Sequence, residues 1–155
     1  MSGGFTVDLS QLVTLRQDIR DFGVAVKEEV AMSGVAAGAK VLYDHARMLA
    51  PVSEEAHIFY GRNSKRTGVT YTFLPGNLRA SIYRVYSPEK SGDDRKEYRI
   101  SWNHIKAPYG HMVEFGTVNA PAHSFLGASL SVLPQAYQTA KIEMGAKLLT
   151  LQRQS

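Results

Sequence analysis

The sequence predicts an α+β domain: a helical apolar period at each end of the chain, two alternating segments in the middle, and proline and glycine punctuation between them. Helices at both ends with strands between call for a small antiparallel sheet packed against terminal helices. At 155 residues the chain has one domain's length, enough to bury about two-thirds of its unfolded surface and so to hold one core. The expected organisation is a single domain over residues 1–155, with a flexible stretch at 1–7 and a long inserted loop or hairpin at 53–76.

The first helix is expected to start at Asp8, whose carboxylate suits the free N–H groups of a first turn, with Gln11 three residues on reaching back. Leu12, Leu15, Ile19, Phe22, Val26 and Val30 then recur at steps of three and four, and Val35, Ala39, Leu42, Ala46 and Leu49 continue the period. Gly23, Gly34 and Gly38 interrupt it, each costing ~1 kcal/mol against alanine inside a helix, so a break is expected near Gly23 or Gly34. Pro51 ends the second helical stretch, because it disfavours helical geometry at Ala50 and has no N–H to donate.

Two strands follow the inserted segment. Ser81, Tyr83 and Val85 alternate with Ile82, Arg84 and Tyr86, and Tyr98, Ile100 and Trp102 alternate with Glu97, Arg99 and Ser101. The polar run Ser87 to Arg95 reads as their hairpin loop. Two strands alone are marginal, so a further strand from the insertion or from Thr117 to Ala120 is expected to complete the sheet. Leu133, Tyr137, Ala140, Met144, Leu148 and Leu151 make the C-terminal stripe, with Ser131 as its cap and Pro134 in its first turn.

Composition removes whole classes of function. No apolar run approaches the ~18 residues that span a bilayer, so no membrane partner is expected. Met1-Ser2-Gly3-Gly4 lacks the basic and apolar parts of a signal peptide, and the expectation is a chain that is not exported by itself. Cysteine is absent, which excludes disulfide and thiol chemistry. The formal net charge of +4 is uneven: five basic residues stand against eight acidic in Met1 to Tyr60, ten against four in Gly61 to Lys106, and three against two in the remainder. The ten central basic residues follow no nucleic-acid-binding motif.

Catalytic chemistry finds little support. His111 and Glu114 stand three apart, flanked by His104 and His123, but without a paired His-x-x-x-His or cysteine ligand set. A nuclease would need clustered carboxylates for a divalent ion, and Glu114 is the nearby acid. Phosphate-cradling and nucleophile-elbow motifs are absent. No catalytic, cofactor-binding or metal-binding residue is therefore assigned. His111 is expected at the surface, and Tyr109, Val113, Phe115 and Phe125 in the core. Gly116 suits the left-handed residue that ends a short helix, Asn77 suits a turn cap after Pro75-Gly76, and Arg79 with Glu114 suggests an ion pair within or between subunits.

Three landmarks stand in order: Ala50-Pro51; Pro75-Gly76-Asn77-Leu78-Arg79-Ala80-Ser81-Ile82; and Tyr109-Gly110-His111-Met112-Val113-Glu114-Phe115-Gly116-Thr117. Their order resembles the head-tail joining, or tail-completion, family of long-tailed bacteriophages. Members of that family show a helix ending in Ala-Pro, a Gly-Asn-Leu-Arg-x-Ser-Ile strand opening, a Val-Glu-Phe-Gly-Thr segment and a C-terminal helix. The likeness runs from about Val35 to Leu149. One piece departs: the family often has Pro-Phe-Leu-Arg-Pro-Ala where this chain reads Ser124-Phe125-Leu126-Gly127-Ala128-Ser129.

The resemblance implies a structural virion protein at the neck, made in the host bacterial cytoplasm. It would form a ring of several copies, expected to be six, around the channel through which DNA passes without sequence-specific contact. Neighbouring neck proteins, a connector or stopper, a tail terminator or the tail tube, are the implied partners. A tail terminator capping the tube is the nearest alternative; a basic nucleic-acid module and a metal-dependent nuclease are the alternatives from other classes. The resemblance also marks residues 53–76 as an insertion. Its Phe59, Tyr60, Tyr71 and Phe73 and its central Arg62, Lys65 and Arg66 suit an arm that orders on a partner; the competing expectation is that the aromatics fold back on their own sheet.

Overall fold

One helix, α1, runs uninterrupted from Leu9 to Leu49. The computed structural model describes residues 9–93 and 95–154, and within α1 the side chains from Gln17 onward other than 18, 19 and 22. The expected Asp8 cap and the contacts of Leu12, Leu15, Ile19 and Phe22 lie outside the described residues. The break expected at Gly23 or Gly34 does not occur; for Gly34 the helix partner explains why, while a Cβ at Gly23 would meet nothing within 4 Å. The C-terminal helix α5, Leu133–Gln154, packs along α1 and supplies its largest contact surface. A Cβ on Gly34 would sit 2.4 Å from the Met144 side chain, and one on Gly38 would sit 3.3 Å from the Ala136 carbonyl oxygen. These glycines let two helices approach closely, and the packing gained offsets their poor propensity. The Lys147–Glu29 ion pair at 3.1 Å lies further along the same antiparallel seam.

Between the two helices the chain forms two separate antiparallel pairs. Strands β1 (His57–Phe59) and β2 (Tyr71–Phe73) pair with Phe59 opposite Tyr71, and a single helical turn, α2 (Ser64–Thr67), sits in their connection. Strands β3 (Ile82–Tyr86) and β4 (Tyr98–Trp102) pair from Ile82 opposite Trp102 to Tyr86 opposite Tyr98. The expected third strand does not join them: among the described residues each sheet has two strands, and Thr117 and Ala120 bridge only to each other across a tight turn. The hairpin β3–β4 avoids the marginal stability of an isolated pair by laying Ile82, Arg84 and Ile100 on α1. Arg84 donates to the Ala36 carbonyl at 3.1 Å and lies over the Tyr43 ring. The Lys96–Glu28 pair at 2.8 Å ties the loop before β4 to the same helix.

The Gly-Asn-Leu-Arg-Ala-Ser segment opens with a helical turn, not a strand. Gly76 takes the left-handed conformation (φ 80°), α3 covers Asn77–Ser81, and β3 begins only at Ile82. Ala50, Leu78, Ile82, Ala107 and Phe125 form the buried centre, with Tyr43, Trp102, Tyr109 and Val113 packed around it. A short helix α4, Gly110–Phe115, closes this core from the far side, its first glycine pressed against the Trp102 indole where any Cβ would clash. No described helix is long and apolar enough to cross a membrane.

Candidate functional site

The three ordered landmarks, distant in sequence, meet around that one core. Pro51 follows the last turn of α1, whose terminal carbonyls need donors. Arg79 supplies them: its guanidinium donates to the Ala50 carbonyl at 2.9 Å and reaches that of Met48 at 3.4 Å. Ser81 closes its own turn by donating to the Leu78 carbonyl at 2.7 Å. Asn77 does not cap a local turn; its amide donates to the Lys106 carbonyl at 2.8 Å and to the Tyr109 hydroxyl at 3.1 Å, joining the second landmark to the third.

Glu114 is the centre of the third landmark. The residue is 7% exposed, and its carboxylate accepts four hydrogen bonds: the Phe125, Leu126 and Gly127 backbone N–H groups at 2.8, 3.0 and 2.9 Å, and the Ser124 hydroxyl at 2.8 Å. Burial pushes its pKa up, but the Leu126, Gly127 and Phe125 N–H groups and the Ser124 hydroxyl outweigh that, and the carboxyl titrates below its ordinary 4.5. The ion pair expected between Arg79 and Glu114 does not form within the subunit, because each charge is committed to backbone groups. Its saturated acceptors also leave Glu114 without capacity for a metal ion. Among the described residues no three His, Cys, Asp or Glu side chains come together as ligands. His104, His111 and His123 are exposed, and His111 Nδ1 donates to the Pro108 carbonyl at 2.8 Å.

The residues around Glu114 divide by direction. Val113 faces the core and Phe125 is fully buried, but Phe115, expected inside, is 77% exposed at the end of α4. Gly116 is not the left-handed cap foreseen: with φ 77° and ψ 177° it occupies a region essentially restricted to glycine, and a Cβ there would stand 2.7 Å from the Ala122 nitrogen. This sharp reversal turns Phe115 outward and leads into the Thr117–Ala120 turn, where Thr117 N–H donates to the Ala120 carbonyl at 2.8 Å and Val118 is wholly exposed.

The inserted segment is a folded hairpin, and its aromatics separate into two sets. Phe59 and Phe73 turn back onto Tyr109, with ring centroids 6.1 and 5.0 Å from it, and His57 meets the same ring edge-on at 4.9 Å. Tyr60 and Tyr71 are more than half exposed, Tyr71 beside Phe59 as its cross-strand partner. Beyond them Arg62, Lys65 and Arg66 lie exposed on the tip. The fold-back expectation thus describes Phe59 and Phe73, while Tyr60 and Tyr71 remain on the surface with the basic residues.

No family model matches the chain, and no curated protein or solved structure matches it significantly.

Proposed function

We propose that this chain is a structural protein of a bacteriophage neck, which joins the DNA-filled head to the tail as a ring, expected to be a hexamer, around the DNA channel. The observation that carries the reading is the convergence of the landmarks. Ala50-Pro51, the Asn77–Ile82 segment and the Tyr109–Thr117 segment resemble the joining family one by one, and here they hold one another through Arg79 and Asn77. Residues shared for architectural reasons are expected to behave this way.

Mechanism in this reading is assembly. A closed head-to-tail ring requires each subunit to carry two different complementary surfaces. Two apolar surfaces on separate elements are available: Phe115 with Val118 beyond α4, and Ile142 with Leu149 on one face of α5. The unpaired edges of β1–β2 and β3–β4 offer backbone groups for strand addition by a neighbour. Neck proteins on the head and tail sides are the further partners, and the virion neck is the proposed location.

Removal of this protein from the producing phage is expected to leave DNA-packaged heads and finished tails that fail to unite, seen by electron microscopy of the lysate. Empty heads in that lysate would place the protein in packaging or capsid maturation and overturn the reading.

A further inference from the structure

We infer that the tip of the β1–β2 hairpin, residues 61–68, is a contact site for the phosphate backbone of double-stranded DNA. The inference deepens the joining reading and rests on it for the presence of duplex DNA beside the ring.

The distribution of compensated charge singles out this tip. The central segment holds most of the chain's basic excess, yet much of it is internally satisfied. Arg79 serves the α1 carbonyls and Arg84 the Ala36 carbonyl with the Tyr43 ring. Lys90 and Arg95 both meet Glu97, Lys96 meets Glu28, and Arg99 meets Glu89. Arg62, Lys65 and Arg66 have no carboxylate partner among the described residues, and no acidic residue occurs between Ala56 and Pro88. Lys106, also unpaired, stands alone on another loop. Three cations within five residues therefore project from one place with no internal counter-charge.

The tip is also held in shape. Asn63 accepts at its carbonyl from the Arg66 and Thr67 N–H groups at 3.0 and 2.9 Å, and Gly68, left-handed at φ 69°, donates back to the Ser64 carbonyl at 2.7 Å. The strands beneath are anchored on Tyr109 through Phe59 and Phe73. A preformed turn loses little entropy on binding. The exposed Tyr60 and Tyr71 hydroxyls beside it are further phosphate donors. Side chains of this kind, carrying no base-reading constellation, bind backbone without regard to sequence, which suits a ligand that must pass through.

The test is fluorescence anisotropy of the purified full chain with a random-sequence duplex of about 30 base pairs, titrated between about 50 and 200 mM salt. Replacing Arg62, Lys65 and Arg66 together by glutamine should weaken binding at least about tenfold at the low-salt end and flatten the log–log salt slope by about 2 to 3, near 0.9 per lost phosphate contact. Replacing Lys106, Lys141 and Arg153 by glutamine removes the same charge elsewhere and should leave the slope near that of the parent. Arg62→Lys with Arg66→Lys keeps the charge and should retain binding, which separates lost contacts from lost fold. Equal losses in the two triple variants, an unchanged tip variant, or displacement of the duplex by polyglutamate as effective as by unlabelled duplex would each overturn the inference. A failure here with heads and tails still dependent on the protein for joining sinks this inference alone; the lysate phenotype tests the joining reading separately.

Discussion

Glu114 and the hairpin tip are two treatments of charge in one small domain. The carboxylate lies buried and takes four donors, three of them backbone N–H groups of one loop, so its charge is spent on architecture. Arg62, Lys65 and Arg66 stand in solvent without acceptors among the described residues, on a turn whose shape comes from backbone bonds and the Thr67 hydroxyl. A buried charge must be satisfied where it is, or it destabilises the fold by several kcal/mol. An exposed one makes no such demand, and its position is free to serve something outside the molecule. The difference teaches where to look for each effect: stability and acid sensitivity at Glu114, association at the tip.

The largest expected effect breaks the first half of that comparison. Glu114→Ala leaves the Phe125, Leu126 and Gly127 N–H groups without their acceptor and should cost about 3–5 kcal/mol in urea unfolding. Glu114→Gln keeps one acceptor oxygen and should lose less. The acid response has a defined sign. The folded pKa lies below the unfolded value of 4.5, so the stabilisation is fully present above about that pH and fades as pH falls through the folded pKa. Stability of the parent should therefore decline on acidification in a component that Glu114→Gln lacks. Identical acid profiles for the two proteins would show that the loop does not depend on the ionised carboxylate.

A smaller effect tests the join between the two regions. Phe59→Ala with Phe73→Ala removes the rings that seat the hairpin on Tyr109, for about 1–2 kcal/mol of packing. Hydrogen exchange should accelerate across residues 57–73 while the Phe125, Leu126 and Gly127 N–H groups on Glu114 stay protected. Unchanged protection of the hairpin would mean that the turn and strand bonds hold it without its aromatic base.

How much of this was legible in the sequence depends on the range of the interaction. Alternation set both faces of β3 and β4, and Pro51 set the end of α1, because period and proline act locally. Gly34 and Gly38 of α1 misled, since their use is fixed by Met144 and Ala136 on a helix about a hundred residues away. Arg79 and Glu114 suggested each other as opposite charges within a shared motif, but both chose backbone groups, whose unsatisfied ends become visible only when helix terminus and loop are in place. Ser124 and Gly127 gave a faint signal: small residues let a loop curl around a carboxylate. The two aromatic sets of the hairpin were also hidden: Phe59 and Tyr71 are cross-strand partners on one face, and what separates them is Tyr109, which the fold brings against Phe59 and Phe73.

Phe115 offers the smallest effect on the fold and the sharpest test of what an exposed group is for. It stands between two architectural residues, Glu114 with its four donors and Gly116 with its glycine-only backbone, yet its own ring is 77% exposed. Burial cannot account for an aromatic held outward by a turn of that strain, whereas contact with a neighbouring subunit can, since aromatic side chains are favoured at interface centres. Phe115→Ser should change stability by no more than about 0.5 kcal/mol, as surface substitutions do. On the proposed neck reading the same change, made in the phage, should leave soluble, folded protein that fails to enter particles, read by thermal unfolding of the purified chain beside quantitative blotting of purified virions. Loss of stability comparable to that of Glu114→Ala would return Phe115 to the core, and normal incorporation with full infectivity would remove it from the proposed ring contact.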